Sequence, residues 1–184
     1  MSTQTFEQAI ASTRGVMAAI TPEQLQASTP CESWDVSEVI NHIIAGQGFF
    51  VAGMQGKPPA ESADYAAGDY LAAFDEATAA SLAAFSAEGV LQQMVKMPFG
   101  EMPGFAVLGL ATTDTFQHGW DLAKATGQDT NLAPELAAGL LAQAQQAISD
   151  SFRGPEGAPF GAQQEVGADA SNADQLAGFL GRQQ

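Results

Sequence analysis

The sequence predicts an all-α protein, an antiparallel four-helix bundle with an irregular C-terminal tail and a short terminal helix. Apolar residues recur at helical spacing in several segments of bundle length. Alanine is abundant and β-branched residues are few, which favours helix over strand. With 184 residues, of which 46% are hydrophobic, the chain can fill one core but hardly two. We therefore expect a single domain over residues 1–184.

The first two bundle helices are predicted from apolar spacing and from their terminal residues. Residues 3–20 carry apolar positions at loosely helical spacing, and Pro22 ends that pattern. The second helix begins after Asp35, where Asp35 as N-cap and Glu38 three residues later match a capping box. A loop over residues 57–68 follows this helix.

A third helix is expected from about residue 69 to residue 85, before the helical pattern breaks. The segment 90–104, "VLQQMVKMPFGEMPG", reads as one extended segment and a turn, with Gly100 and Pro103 as breakers. Helical spacing then returns and predicts the last helix of the bundle.

The remaining elements lie after residue 104. The fourth helix is predicted over 104–127, with a glycine as its C-terminal cap, and a fifth over 134–150, with a proline in its first turn. Residues 152–170 are rich in Gly and Pro and predict an irregular tail. A short capped helix is expected within 171–182.

The charge of the chain excludes some classes of partner. The net charge is −15, from 21 acidic and 6 basic residues. Such a surface repels phosphate backbones and anionic lipids, so we expect neither nucleic-acid binding nor a membrane-surface role. There is no transmembrane-length apolar run and no signal-peptide pattern, which predicts a cytoplasmic protein. The single cysteine, Cys31, cannot form an internal disulfide and fits a reducing compartment.

Charged residues continue the apolar stripe of the fourth helix. At about 100° per residue, Asp114, His118 and Asp121 fall within about 40° of the direction of Val107, as does Ala111. Burying an unpaired carboxylate costs several kcal/mol, and the chain has only 6 Lys and Arg residues to pair with. This face therefore either lines a wet cleft or is neutralised by a metal cation.

The spacing of these residues suggests a metal site. Asp114 and His118 are related as i and i+4, so both side chains can reach one ion. The only other histidine of the chain, His42, lies on the second helix at the edge of its apolar stripe. Two imidazoles and one carboxylate leave an open coordination position, as in catalytic sites. The set suits Zn²⁺, and Ni²⁺ or Fe²⁺ would also accept it.

Other interpretations of these ligands stay open at this point. His42 alone is compatible with an ordinary core or surface histidine, and Asp114 with His118 could form a simple local hydrogen bond. Glu38 is also four residues from His42 and could bind it or replace it as a ligand. We favour Glu38 as part of the helix cap, because it occupies the third helical position.

Two further residues lie on or near this face. Asp121 is a candidate to orient a ligand imidazole from outside the metal sphere. It could equally pair with Lys124 or accept a hydrogen bond from the indole of Trp120 or Trp34. Cys31 is expected to pack as a small hydrophobe, because no basic residue lies close in sequence to activate its thiol.

Three segments carry a resemblance to a known family: "TPCESWDVSEVINHIIAG", "MPFGEMPGFAVLGL" and "TFQHGWDLAKATGQ". They resemble the actinobacterial family related to the metal-binding N-terminal domain of mycothiol-dependent maleylpyruvate isomerase, within the DinB-like superfamily of four-helix bundles. The resemblance covers nearly the whole chain, including the closing "FLGR". It implies a metal triad of His42, Asp114 and His118. Asp114 stands where the isomerase has Glu, so we expect the geometry or affinity of the site to differ.

The resemblance also implies a chemistry. A divalent metal would activate mycothiol, and the thiol would attack a small electrophilic substrate, giving an isomerase or an S-transferase. The full isomerase carries a further C-terminal domain that helps form the substrate site, whereas only a short tail follows the bundle here. The resemblance therefore supports the scaffold and the metal better than it supports isomerase activity.

Two other classes of function remain as alternatives. One is a non-catalytic metal-binding or ligand-binding bundle, such as a homodimeric stress-related interaction protein. The other is a purely structural bundle in which the triad no longer binds metal. Metal content and thiol-dependent turnover would separate the three.

Overall fold

The computed structural model describes residues 2–31, 33–154 and 160–183. Within these residues the chain forms six α-helices and one β-hairpin, which confirms the all-α prediction. In chain order they are α1 (Thr3–Ala18), α2 (Val36–Met54), α3 (Tyr70–Phe85), β1 (Met94–Met97), β2 (Gly100–Pro103), α4 (Gly104–Ala125), α5 (Pro134–Ala147) and α6 (Asn172–Phe179).

Helices α1 to α4 form the four-helix bundle, and α5 with α6 packs outside it. In the bundle α4 contacts both α1 and α2, and α3 contacts α2 and α1. The outer pair closes a second core around Phe116 and Trp120 of α4, which pack with Leu140 and Leu176. The second half of α4 is consequently buried on nearly all sides, and this is the part that carries the charged residues.

The start of α2 follows the capping rule that its sequence predicts. The Asp35 side chain accepts a hydrogen bond from the backbone N–H of Glu38, and the Glu38 side chain accepts one from the backbone N–H of Asp35. This reciprocal pair satisfies two free donors at the helix end. It fixes the first turn of α2 and, through it, the direction in which His42 leaves the helix.

The segment before α4 differs from the sequence expectation of a single extended stretch. β1 and β2 pair as an antiparallel hairpin, with Met94 opposite Pro103 and Met97 opposite Gly100. The turn is favoured by Gly100, whose φ of 143° is rarely adopted by other residues. Val95 and Met97 point inward on alternate positions of β1, so the hairpin covers one end of the bundle core.

The C-terminal segment returns to the bundle after α5. Helix α5 ends at Ala147, three residues earlier than predicted, and a short 3₁₀ turn follows at Asp150–Phe152. Part of the predicted irregular tail, residues 155–159, lies outside the described residues. From Phe160 onward the chain runs to α6, which is capped by Ser171 as its sequence suggested. In the described part of the chain, no helix is both long and apolar enough to cross a membrane.

Candidate metal centre

Helices α2 and α4 place two imidazoles and a carboxylate against one another. His42 projects from α2, and its Nε2 lies 3.4 Å from Asp114 Oδ1 on α4. His118, one turn further along α4, has its Nε2 3.6 Å from the same oxygen. The three ligand atoms all lie within 4.8 Å of one another. The structure thus brings together the three side chains that the sequence proposed as ligands.

The donor set fits a divalent cation. The second oxygen of Asp114, Oδ2, is buried and has no hydrogen-bond partner among the described residues. A buried carboxylate oxygen without a partner is energetically unfavourable. The two imidazole nitrogens stand farther from Oδ1 than in a usual hydrogen bond, which is near 3 Å. Two nitrogens and a carboxylate with an unsatisfied oxygen match the ligands that Zn²⁺ takes in proteins.

Trp34 covers the two imidazoles from the connector that precedes α2. Its ring centroid lies 4.7 Å from that of His42 and 5.9 Å from that of His118. The two imidazole centroids are 4.5 Å apart and nearly perpendicular. These ring contacts restrict the rotation of both histidines toward solvent.

Asp121 binds the opposite edge of the His118 ring. Asp121 is 0% exposed, and its Oδ2 lies 2.9 Å from His118 Nδ1. An ionised carboxylate can only accept, so His118 Nδ1 donates this hydrogen bond. The other ring nitrogen, Nε2, is the one that faces Asp114. Asp121 therefore occupies the orienting position that was one of its four predicted alternatives.

The other three alternatives for Asp121 do not appear among the described contacts. The indole of Trp120 donates instead to Asp174, at 2.9 Å. Trp34 stacks on the histidines, and Lys124 lies over the Trp120 ring, 6.0 Å from its centroid.

Two residues that contact Asp121 were missed by the sequence reasoning. Arg182 donates from Nε and Nη2 to the two Asp121 oxygens, at 2.9 and 3.1 Å. The Cys31 thiol donates to Asp121 Oδ2 at 3.0 Å, and its sulfur lies 3.6 Å from His118 Nδ1. Cys31 is buried, as expected, but it is also a polar neighbour of His118. The available signal was charge: a buried aspartate in a chain with 6 cations requires one of them.

For each of His118, Asp121 and Asp114, burial shifts the pKa in one direction and neighbouring charges shift it in the other. Burial disfavours the charged form of His118, but its hydrogen bonds to Asp121 and Cys31 and the charges of Asp114 and Asp121 raise its pKa to about 10. Burial also disfavours ionised Asp121, yet His118 and Arg182 together hold the pKa of that carboxyl well below its usual range. Asp114 likewise has a lowered pKa, because His42 and His118 outweigh the effect of burial. Both carboxyls are thus ionised at neutral pH.

The triad opens onto a cavity of about 570 Å³. This volume is within the range of small-molecule sites. Its lining combines the three proposed ligands with mainly apolar side chains, among them Phe49, Phe99, Leu110, Phe160 and Leu180. Thr113, Gln117 and Arg182 are the polar side chains that join the triad at its wall, and the Oε1 of Gln117 is buried without a hydrogen-bond partner among the described residues.

A family model describes most of this chain. Residues 6–123 match the mycothiol maleylpyruvate isomerase N-terminal domain. The chain belongs to this family. The matched range includes all three proposed ligands and Asp121, whereas α5, α6 and Arg182 lie beyond it.

Relatives with solved structures share the fold of the family at low sequence identity. The crystal structure of a histidine-to-alanine mutant of mycothiol-dependent maleylpyruvate isomerase superposes with a TM-score of 0.58 at 13% identity, covering 80% of this chain and 71% of that one. Another structure of the isomerase gives a TM-score of 0.57 at 15% identity, covering 76% and 66%. These likenesses establish the bundle fold and leave activity to other arguments.

Curated relatives are more similar in sequence. Two uncharacterized proteins of Mycobacterium tuberculosis, from strains CDC 1551 / Oshkosh and H37Rv, are each 39% identical over 170 residues. The alignments cover 91% of this chain and 90% of each relative. The similarity therefore extends beyond the family-model range into the C-terminal segment.

Proposed function

We propose that this protein is a divalent-metal-dependent enzyme that uses a small thiol, mycothiol, to act on a small electrophilic substrate as an isomerase or an S-transferase. His42, Asp114 and His118 would hold the metal, with zinc as the preferred ion. The observation that carries the proposal is the convergence of two imidazole Nε2 atoms on Asp114, whose buried Oδ2 has no partner among the described residues, at the wall of a cavity. Membership of the mycothiol maleylpyruvate isomerase N-terminal domain family supports the choice of thiol.

A bound divalent metal would lower the pKa of a thiol so that the thiolate exists at neutral pH. The protein side chains supply the rest of the site. Asp121 holds the His118 ring by its Nδ1 and keeps Nε2 directed at the cavity. Trp34 packs against both imidazoles and limits their movement.

The cavity wall suits a largely apolar substrate. Phe49, Phe99 and Leu110 line it and offer apolar surface to a substrate. Gln117 also lines the cavity, and its buried Oε1 has no hydrogen-bond partner among the described residues. The two classes of reaction differ only after the thiolate has added to carbon. Rotation followed by loss of the thiolate gives isomerisation and regenerates the thiol, whereas S-transfer keeps the C–S bond, with proton uptake by an alkene adduct or loss of halide from an aryl halide.

Metal content tests the first half of the proposal. Protein purified without an affinity tag or chelator should contain about one equivalent of zinc, and His118→Ala should lose it, because a site that loses one of three protein ligands binds poorly. Glu38→Gln is the matched control: Glu38 lies one turn from His42 but is engaged in the helix cap. Loss of zinc in this control and not in His118→Ala would contradict the ligand assignment.

Turnover tests the second half. With small activated alkenes or aryl halides, the zinc-loaded protein should accelerate either of two reactions: the disappearance of free mycothiol, which reports S-transfer, or a mycothiol-dependent cis–trans conversion of the alkene, in which the thiol is regenerated. His118→Ala should accelerate neither. Zinc binding without thiol-dependent turnover across such a panel would instead support the alternative of a non-catalytic metal-binding bundle.

A further inference from the structure

A largely buried series of contacts connects the C-terminal end of the described chain to the proposed metal centre. Arg182 follows α6 and donates hydrogen bonds to both carboxylate oxygens of Asp121, at 2.9 and 3.1 Å. Asp121 in turn holds His118 Nδ1 at 2.9 Å. The opposite nitrogen of the same ring is a proposed metal ligand. Arg182 is therefore two contacts away from the metal position, although it lies 61 residues after Asp121 in the sequence.

We propose that Arg182 is a positioning residue of the metal centre, which fixes the plane of the Asp121 carboxylate and thereby the plane of the His118 imidazole. The inference rests on the proposed function, since it assumes a metal at His42, Asp114 and His118. A guanidinium that binds a carboxylate through two parallel N–H groups fixes its orientation as well as its position. A carboxylate held in this way fixes the orientation of a ligand imidazole.

Without Arg182 the Asp121 carboxylate would keep too few contacts to hold one orientation. Its Oδ1 would retain only the amide of Gln117, at 3.4 Å. Its Oδ2 would retain the Cys31 thiol and the His118 ring itself. The ring would then be held by a group that can rotate with it, so the direction of Nε2 would no longer be defined.

The backbone conformation at the end of α6 places Arg182 beside the Asp121 carboxylate. Gly181 has a φ of 96°, in the left-handed region that favours glycine, and Arg182 N–H donates to the carbonyl of Ala177 at 2.9 Å. A Cβ on residue 181 would come within 2.9 Å of the Gly161 backbone. The close glycine contact turns the chain back toward α4, with Leu180 and Arg182 both at the cavity wall.

The test measures zinc affinity by competition with a chromophoric chelator, together with the visible spectrum of the Co²⁺-substituted protein. Arg182→Gln should weaken zinc binding by about tenfold or more, the loss typical of groups that orient a metal ligand, and should shift the Co²⁺ bands. Arg182→Lys should show a smaller loss, because an ammonium cannot bind both oxygens in parallel. In Asp121→Asn, the added Arg182→Gln change should cause no further loss, because both act through one path.

Arg153→Gln is the matched control. Arg153 also fastens the C-terminal segment, by donating to the carbonyls of Gly161 and Phe179 at 3.2 and 2.7 Å, but it makes no described contact with Asp121. Its substitution should leave zinc affinity and the Co²⁺ spectrum unchanged. Equal losses in Arg153→Gln and Arg182→Gln would overturn the proposal, since they would show that only tail packing matters.

The remaining outcomes are also decisive. Wild-type affinity and an unshifted Co²⁺ spectrum in Arg182→Gln would overturn the proposal. If that variant does not fold, Arg182→Lys decides by the same two readouts: reduced affinity with shifted bands supports it, and wild-type values overturn it. A wild-type protein without zinc affinity would overturn both this inference and the proposed function. Zinc binding that depends on Arg182, without thiol turnover, would overturn only the proposed activity.

Discussion

Asp114 and Asp121 lie two turns apart on α4, within one face of the helix, and the same ring of His118 separates them. Asp121 is 0% exposed, and hydrogen bonds reach both of its oxygens, including two from Arg182. Asp114 borders the cavity and has one buried oxygen with no partner among the described residues. The difference indicates that the two carboxylates of this helix have different roles. Asp121 binds an imidazole, and Asp114 keeps an oxygen without a partner among the described residues, as a metal ligand of the proposed site would need.

The same difference distinguishes two clusters of potential metal ligands whose ligand atoms are equally close together. Cys31, His118 and Asp121 lie as close together as His42, Asp114 and His118, within 4.8 Å in each case. In the first group, however, the carboxylate is already neutralised by Arg182 and the thiol donates to it. A cation there would compete with a guanidinium, whereas a cation beside Asp114 would satisfy an oxygen that lacks a partner. We therefore propose the Asp114 side of the ring, rather than the Asp121 side, as the metal position.

The largest expected effect comes from Asp114→Asn. The amide keeps the size of the side chain but removes the charge, so zinc affinity should fall by at least about 100-fold, beyond the 10–100-fold typical of groups outside the ligand sphere. The unfolding free energy of the metal-free protein should change by only about 1 kcal/mol, because Asp114 makes only long contacts there. Chelator competition and urea denaturation measure the two quantities. Zinc affinity retained in Asp114→Asn would contradict the assignment.

Asp121→Asn should show the reverse profile. Removing one partner of a buried ion pair leaves the Arg182 guanidinium uncompensated, at a cost of about 3 kcal/mol in the metal-free protein; this is the low end of the usual range, since Arg182 is partly exposed. Zinc affinity should fall by about tenfold, because a neutral amide holds the His118 ring less firmly than the carboxylate does. Urea denaturation in the presence of a chelator measures the first effect. A stability equal to that of Asp114→Asn would remove the distinction between the two carboxylates.

The sequence predicted the parts of this site that depend on local rules. The i, i+4 spacing of Asp114 and His118 places them on one turn whatever the rest of the fold does. The capping box at Asp35 and Glu38 likewise involves neighbouring residues and appears as expected. His42 was found by elimination, because the chain has no third histidine. The all-α bundle followed from periodicity, which needs no long-range information.

The contacts that complete the site could not be predicted in this way. Cys31 and Arg182 reach Asp121 across 90 and 61 residues, and no helical spacing relates them to α4. Arg182 depends in addition on a left-handed glycine and on the packing of α6, which lies outside the bundle. The β-hairpin at 94–103 was also missed, because its strands are short and each has only two inward positions at most.

A graded effect, spread over several pH units, is expected from pH. The pKa of His118 is raised above its ordinary value of 6.5 to about 10 in the metal-free fold, so the protonated ring stabilises that fold fully below pH 6.5 and this contribution is lost as the pH rises toward 10. Zinc must displace that proton, so zinc affinity should rise with pH by up to about tenfold per unit over this window. Chelator competition at several pH values measures the slope. Affinity that is flat above pH 6.5 would contradict the location of the proton.

Cys31→Ala should have the smallest effect on the metal. Its thiol is one of three donors to Asp121 Oδ2, and His118 and Arg182 remain when it is removed. We expect a loss of about 1 kcal/mol in unfolding free energy from the lost packing and hydrogen bond, and nearly unchanged zinc affinity. Cys31→Ser, which keeps a donor at the same place, is the control for the hydrogen bond. A loss of zinc affinity in Cys31→Ala as large as the one expected for Asp114→Asn would mean that the thiol is a metal ligand. The metal would then lie on the Asp121 side of the His118 ring, and the roles proposed for the two carboxylates would be reversed.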